Sequence, residues 1–196
     1  MGKTVAIEIA DSDSLSLDDT ENIEPAIPEY LEKNYWWAYL NPKGVEFFEH
    51  QWIVNVILWG NFSLLRDVAL TEMGTEISGR TLQIACVYGD FTPKLAQWLA
   101  AGARLDVVDI APIQLTNLRR KMEPGPCLHL HRQDAANLRF PDGSFDQAVL
   151  FFLLHELPAD VRKKALEEAL RVIAPGGKLV IVDYHRPGAL HPHRYV

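Results

Sequence analysis

Five short apolar runs, separated by stretches of helical character, constrain this chain more than any other feature. They fall at 82–87, 105–110, 128–131, 147–153 and 179–184, each short and near-continuous, as strands buried on both faces require. Helices are predicted between them. One covers 93–101, with Thr92 as N-cap and Pro93 in the first turn. Another covers 112–122 and is closed by Pro-Gly, and a third covers 158–173 and is closed by Ala-Pro-Gly-Gly. Repeated strand–helix–strand units predict a doubly wound, mostly parallel α/β sheet that binds its ligands at the carboxyl ends of the strands.

The chain ahead of this pattern differs. Residues 28–75 read as a helical aromatic cap. Tyr30, Tyr35, Trp36, Trp37 and Tyr39 crowd its start, and Val45, Phe48, Trp52, Val56 and Trp59 recur at helical spacing over 42–70. Residues 1–30 hold eight carboxylates against Lys3, whereas the remainder balances 18 acidic with 18 basic side chains. Residues 1–27 are therefore expected to be an acidic, disordered tail, and 76–196 a cofactor-binding domain. With no basic stripe, nucleic acid is not an expected partner. No stretch supplies the ~20 apolar residues of a membrane span. The N-terminus has no cationic patch leading into an apolar run, which points to the cytoplasm. Cys86 and Cys127 are expected in buried strands, as core residues of a reducing compartment.

Residues 81–92 lie where a nucleotide-binding α/β domain carries an acidic residue and a glycine-rich turn. Here Gln83 replaces the acid, Ala85 and Val87 occupy two glycine positions, and Gly89 alone remains, followed by Asp90. Glycines in such a turn let the backbone approach the ligand at positive φ. Two readings stand side by side: a decayed cofactor site, or a site holding its cofactor for an unusual reaction.

Residues 80–184 resemble class I S-adenosylmethionine-dependent methyltransferases. The resemblance rests on Arg-Leu-Asp-Val-Val-Asp-Ile-Ala-Pro around Asp109, Arg-Gln-Asp-Ala-Ala-Asn-Leu around Asp134, Phe-Pro-Asp-Gly-Ser-Phe-Asp at 140–146, Leu-Leu-His-Glu-Leu at 153–157 and Arg-Val-Ile-Ala-Pro-Gly-Gly-Lys-Leu at 171–179. It implies a Rossmann-like fold under a helical N-terminal cap. Asp109 would hold the ribose hydroxyls and Asp134 the adenine amino group, with Ile110 and Ala135 beside them and Gln83, Ala85, Val87, Gly89 and Asp90 forming the loop. The family normally continues past a fifth strand with a helix and two more strands, which are not expected here. From residue 28 onward, Tyr-Trp-Trp-Ala-Tyr-Leu, Val54-Asn-Val-Ile-Leu-Trp-Gly-Asn, Cys-Val-Tyr-Gly-Asp-Phe-Thr and Val-Asp-Tyr-His-Arg-Pro are similar to the rhodoquinone biosynthesis enzymes of the RquA type. That similarity implies conversion of ubiquinone to rhodoquinone, with a ring methoxy group replaced by an amino group. S-adenosylmethionine would donate the nitrogen, manganese (Mn2+) would assist, and the protein would be cytoplasmic and peripheral to the inner membrane.

A neutral Gln83 fits such chemistry, because a carboxylate near the cofactor's amine would favour the ammonium form, which has no lone pair. Asp90 works against this by restoring a carboxylate nearby. His155, Tyr184 and Tyr35 are the candidates for work on the ring. Asp183, His185 and Glu156 are the candidate metal ligands, since manganese favours oxygen and accepts imidazole and since Asp183 and His185 share one face of a strand. The plainer alternative for each is a solvated or backbone-bonded polar residue. The aromatic cap is either core or a flat slot for a quinone, and a lipid substrate implies transient contact of Trp36, Trp37, Trp52 and Trp59 with a membrane surface. Two other functions compete: an ordinary methyltransferase acting on a small lipophilic acceptor, and a non-catalytic quinone-binding protein. Oligomeric state is not legible.

Overall fold

In the computed structural model, residues 25–86, 88–122 and 127–184 are described. Most of the expected tail (1–24), together with Val87, His185, His191 and His193, lies outside them. The cap comprises α1 (Glu29–Tyr35), a π-helical stretch (Trp36–Leu40), α2 (Pro42–Phe48), α3 (Gln51–Ile57) and α4 (Phe62–Met73). The sheet domain follows as β1 (Arg80–Ile84), α5 (Phe91–Gln97), β2 (Arg104–Asp109), α6 (Pro112–Lys121), β3 (Leu128–Arg132), β4 (Phe145–Phe151), α7 (Ala159–Val172) and β5 (Ile173–Val182).

The five strands lie in the order β3-β2-β1-β4-β5, and every neighbouring pair is parallel. Gln83 at the centre of β1 stands opposite Val107 of β2 and Val149 of β4. The order turns back on itself between β1 and β4, and such a switch point leaves a crevice at the carboxyl ends of the strands. Side chains alternate between two apolar layers. Phe91, Leu95, Leu105, Val107 and Val149 fill the layer beneath α4 and α5. Leu82, Ile84, Ala148, Leu150, Ala165, Ala169 and Val172 fill the layer beneath α7. Phe151 stacks on Phe91 at 4.2 Å between ring centroids and meets the edge of Phe62 from α4 at 5.9 Å. All three rings are at most 1% exposed, and each contributes about 1.5–3 kcal/mol by leaving water.

The details depart from expectation where local chemistry overrides the pattern. The helix expected over 42–70 is three helices. Trp59 (φ 52°) and Gly60 (φ 78°) are left-handed and break it between α3 and α4. The first strand stops at Ile84, not 87, because Ala85 also turns left-handed at φ 73°. Thr92 is buried inside α5 and is not its cap. Asp90 takes the N-cap position, but its side chain accepts from Arg66 and not from a backbone N–H of the helix. The Ala-Pro-Gly-Gly stop is absorbed into the start of β5, and Cys127 is only half-buried.

Candidate functional site

The carboxyl ends of the five strands build two cavities with a common wall. The first lies over β1 and β2. Asp109, the last residue of β2, accepts hydrogen bonds at Oδ2 from the Cys86 N–H and at Oδ1 from the Ala111 N–H, both at 2.8 Å. It thereby ties the loop after β1 to the start of α6. Burial raises its pKa to about 6 against the opposing pull of those N–H groups. Asp134, just beyond β3, accepts from the Ala136 N–H at 2.8 Å, which fixes its turn. Both carboxylates line this cavity with Ile110, Ala135, Ala85, Cys86 and Tyr30. Two strand-end acceptors beside apolar walls match what a nucleoside needs, a diol and an amino group over a flat ring.

The expected loop residues separate into groups. Ala85 reaches the cavity. Gln83 lies within the sheet at 1% exposure, where its amide nitrogen donates to the Ala85 carbonyl at 3.0 Å and its Oε1 has no partner among the described residues. Gly89, at φ 79°, takes the left-handed turn that its position demands. Arg66 Nη1 of α4 donates to both oxygens of Asp90, at 2.8 and 2.7 Å, so this carboxylate is ion-paired with the cap.

The second cavity is an aromatic chamber of ≈ 250 Å³. Tyr35, Trp37, Tyr39, Phe48 and Tyr88 wall it on the cap side, and Phe151, Phe152, His155 and Tyr184 on the sheet side. Tyr39 stacks on Tyr88 at 5.6 Å with ring planes 12° apart and meets the edge of Tyr35 at 6.1 Å. The Tyr88 hydroxyl donates to the Ala38 carbonyl at 2.5 Å, and the Gln114 side chain donates to that hydroxyl at 2.8 Å and to the Tyr39 carbonyl at 3.2 Å. Tyr39, Ala85, Cys86, Leu153 and Glu156 belong to both cavities. The three expected ring-facing residues, His155, Tyr184 and Tyr35, are therefore brought together around one space.

The polar rim of that space is tightly ordered. Asp183 Oδ1 lies 2.8 Å from His155 Nδ1 and accepts from the Tyr184 N–H at 2.6 Å. Its Oδ2 accepts from the Leu154 and His155 N–H groups at 2.6 and 3.2 Å. Burial opposes its ionisation, but the His155 hydrogen bond and these N–H groups prevail and hold its pKa below the usual carboxylate range. The Tyr184 ring stands edge-on to His155 at 4.6 Å. Glu156 accepts a short hydrogen bond from the Tyr39 hydroxyl, and burial, outweighing that bond, raises its pKa to about 7.

Of the expected manganese ligands, the two described ones are engaged elsewhere. Both Asp183 oxygens are saturated by donors, Glu156 is bonded to Tyr39, and His185 lies outside the described residues. Among the described residues, no group of three or more His, Cys, Asp or Glu is placed to hold a metal ion. Asp183 is instead the residue that fixes the His155 ring. Sequence reasoning missed Arg66, Tyr88 and Gln114, and placed Tyr30 among the cap aromatics and not in the nucleoside cavity. Of the missed three only Tyr88 gave a signal, as a bulky residue in the altered loop.

This strand order and site define the class I methyltransferase fold, and comparison with known proteins adds its closer relations. Residues 81–177 match the family model described as "Methyltransferase domain". Demethylmenaquinone methyltransferase of Staphylococcus haemolyticus is 28% identical over 68% of this chain and 55% of its own length. The enzyme of the same name from Thermus thermophilus is 39% identical over 55% of this chain and 48% of its own. The chain thus spans about half the length of the curated relatives it matches. Among solved structures, the N-methyltransferase NodS of Bradyrhizobium japonicum, determined with S-adenosyl-l-homocysteine, superposes with a TM-score of 0.54 at 21% identity, over 77% of this chain and 69% of its own. The chain has the class I methyltransferase fold, and it is similar over about half their length to proteins named as quinone methyltransferases.

Proposed function

We propose that the protein is an S-adenosylmethionine-dependent transferase acting on a lipid-tailed quinone ring, and that the group it transfers is nitrogen. The amine adds to a methoxy-bearing carbon of ubiquinone and methanol leaves. The quinone ring takes two electrons from the amine's α-carbon, and water then frees that carbon as a keto acid, leaving the amino group on the ring of reduced rhodoquinone. One observation carries the quinone part. The nucleoside cavity opens, through Tyr39, Ala85, Cys86, Leu153 and Glu156, onto an aromatic chamber whose walls suit a flat ring. The two demethylmenaquinone methyltransferase relatives support the same substrate class.

S-adenosylmethionine, when bound, supplies an electrophilic methyl group at sulfur and an amine at its amino-acid end. Asp109 and Asp134 hold the nucleoside. Support for the nitrogen reading comes from the amine end, where neutral Gln83 replaces the acid and Arg66 neutralises Asp90. With Gln83 neutral and Asp90 paired, the amine is easier to deprotonate than it would be beside a free carboxylate. Asp183 orients His155, which moves protons at the ring, while Tyr35 and Tyr184 flank it. The protein is read as peripheral to a membrane, where its substrate dissolves.

The second reading, methylation of a quinone or related ring, is favoured by the relatives' names. Dual labelling separates the two. The protein is incubated with short-tail ubiquinone and S-adenosylmethionine labelled at both nitrogen and methyl, and the product is weighed by mass spectrometry. Nitrogen label in the ring upholds amination. Methyl label with S-adenosylhomocysteine release replaces it with methylation.

A further inference from the structure

The outer face of the cap has a composition unlike the rest of the chain. Residues 51–65 contain no Asp, Glu, Lys or Arg. Within them Trp52 is 64%, Val56 67% and Trp59 67% exposed. Short helix α3 is apolar on two opposite sides. Trp52 and Val56, one turn apart, point outward, while Val54 and Leu58, on the opposite side of the turn, line the aromatic chamber. Ile57 belongs to both settings: it lines the chamber and is 44% exposed. Trp37, on the other side of the chamber, is likewise half exposed. The chamber therefore reaches the surface where α3 faces the π-helical stretch.

The corner beyond α3 strengthens the pattern. Trp59 takes a left-handed backbone, at φ 52°, which a bulky side chain rarely adopts, and Gly60 follows at 78°. The turn leaves Trp59 largely exposed at the end of an uncharged helix.

Resting on the reading of the substrate as a lipid-tailed quinone, we infer that the α3–α4 corner seats in the headgroup boundary of a bilayer and admits the ring sideways from the leaflet into the aromatic chamber. Three things on the surface select a bilayer as the occupant. The stretch has no charge to pair with a protein partner. It carries two exposed indoles, the side chain best suited to the water–hydrocarbon boundary. It is also the outer side of the wall that would enclose the lipid's ring. A seven-residue helix cannot span, and no described helix is long and apolar enough to do so, so α3 lies in the plane of the interface. Lateral delivery has a physical advantage, because the isoprenoid tail stays in hydrocarbon while only the ring moves.

The test uses the full chain and a double substitution, Val56→Asp with Trp59→Asp. Neither residue lines the chamber, and aspartate tolerates the left-handed backbone at 59. Vesicles of phosphatidylcholine and phosphatidylglycerol carrying long-tail ubiquinone are floated, and turnover is compared with that of a short-tail, water-soluble ubiquinone in solution. The parent chain is expected to float. The variant is expected to lose about tenfold in vesicle binding and in turnover of the embedded quinone, with short-tail turnover within about twofold of the parent. Equal flotation of variant and parent overturns the inference. So does unchanged turnover of the embedded quinone, and so does sedimentation showing the corner buried between two copies of the chain. If flotation is lost in the variant but the parent turns over neither quinone, the membrane seat stands, while ring delivery falls together with the quinone reading.

Discussion

Ala85 holds a left-handed backbone, φ 73°, at the wall shared by the two cavities, and Phe152 of the chamber does the same at φ 57°. Strain of this kind gathers at functional sites because the surrounding structure over-determines it. Ala85→Gly is expected to raise the denaturant midpoint by up to about 1 kcal/mol of stability, the left-handed cost less glycine's greater freedom when unfolded. A lowered midpoint would mean that the methyl group is needed for packing. Asp183 makes a sharper case. Asp183→Asn is expected to cut kcat by about 10–100-fold with little change in KM for S-adenosylmethionine, because it releases His155 and leaves the nucleoside side intact. The double variant with His155→Gln is expected to be no worse than His155→Gln alone, as for residues acting as one unit. Additive losses would separate them. At Asp109, burial raises the folded pKa to about 6, above its unfolded value, so below that pH the folded state takes up the proton and this group's contribution favours folding. Affinity moves the other way. If Asp109 accepts from the ribose, as proposed, it loses its charge there, and KM for S-adenosylmethionine is expected to climb by up to about tenfold per pH unit below 6, with no matching fall in Tm.

Between elements, the contact of α4 with the loop after β1 stands out. Arg66, with its side chain only 13% exposed, grips Asp90 and also Asp67. Arg66→Met leaves Asp90 unpaired and is expected to cost about 1–3 kcal/mol, read as a Tm lower by several degrees. If the nitrogen reading holds, the freed carboxylate also shifts the pH profile of amination upward, because it stabilises the ammonium. An unchanged profile would remove Asp90 from the argument. Much of the sheet was legible in the sequence, because a buried parallel strand can be made in few ways other than a short apolar run between helix signals. Asp109, Asp134 and His155 were legible because each stands beside a strand end that the pattern already located. The break in the cap was not. Trp52, Val56 and Trp59 keep helical spacing, and nothing local announces that Trp59 will turn left-handed. Pairings across the fold were equally hidden. Tyr39 meets Glu156 from 117 positions away, and nothing local announces that Asp183 accepts from backbone N–H groups and lies beside His155 Nδ1.

At the scale of the whole molecule, the ring stack of Phe62, Phe91 and Phe151 joins cap to sheet. Phe62→Ala is expected to cost about 3–5 kcal/mol and to loosen the cap and the sheet in a single transition, measured by calorimetry. Two separate transitions would show that the cap melts alone. The uncharged stretch over 51–65 lies beside one of two adjoining cavities, and on the proposed function a water-soluble nucleoside enters the one and an oily ring the other. Tyr39 and Glu156 form the partition between these two rooms. Whichever guest settles first presses on that partition and leaves it set for the second, so each must alter the other's grip by an identical factor, as reciprocity in binding requires. Titration calorimetry of either ligand, run with and without its companion, would read that factor twice over.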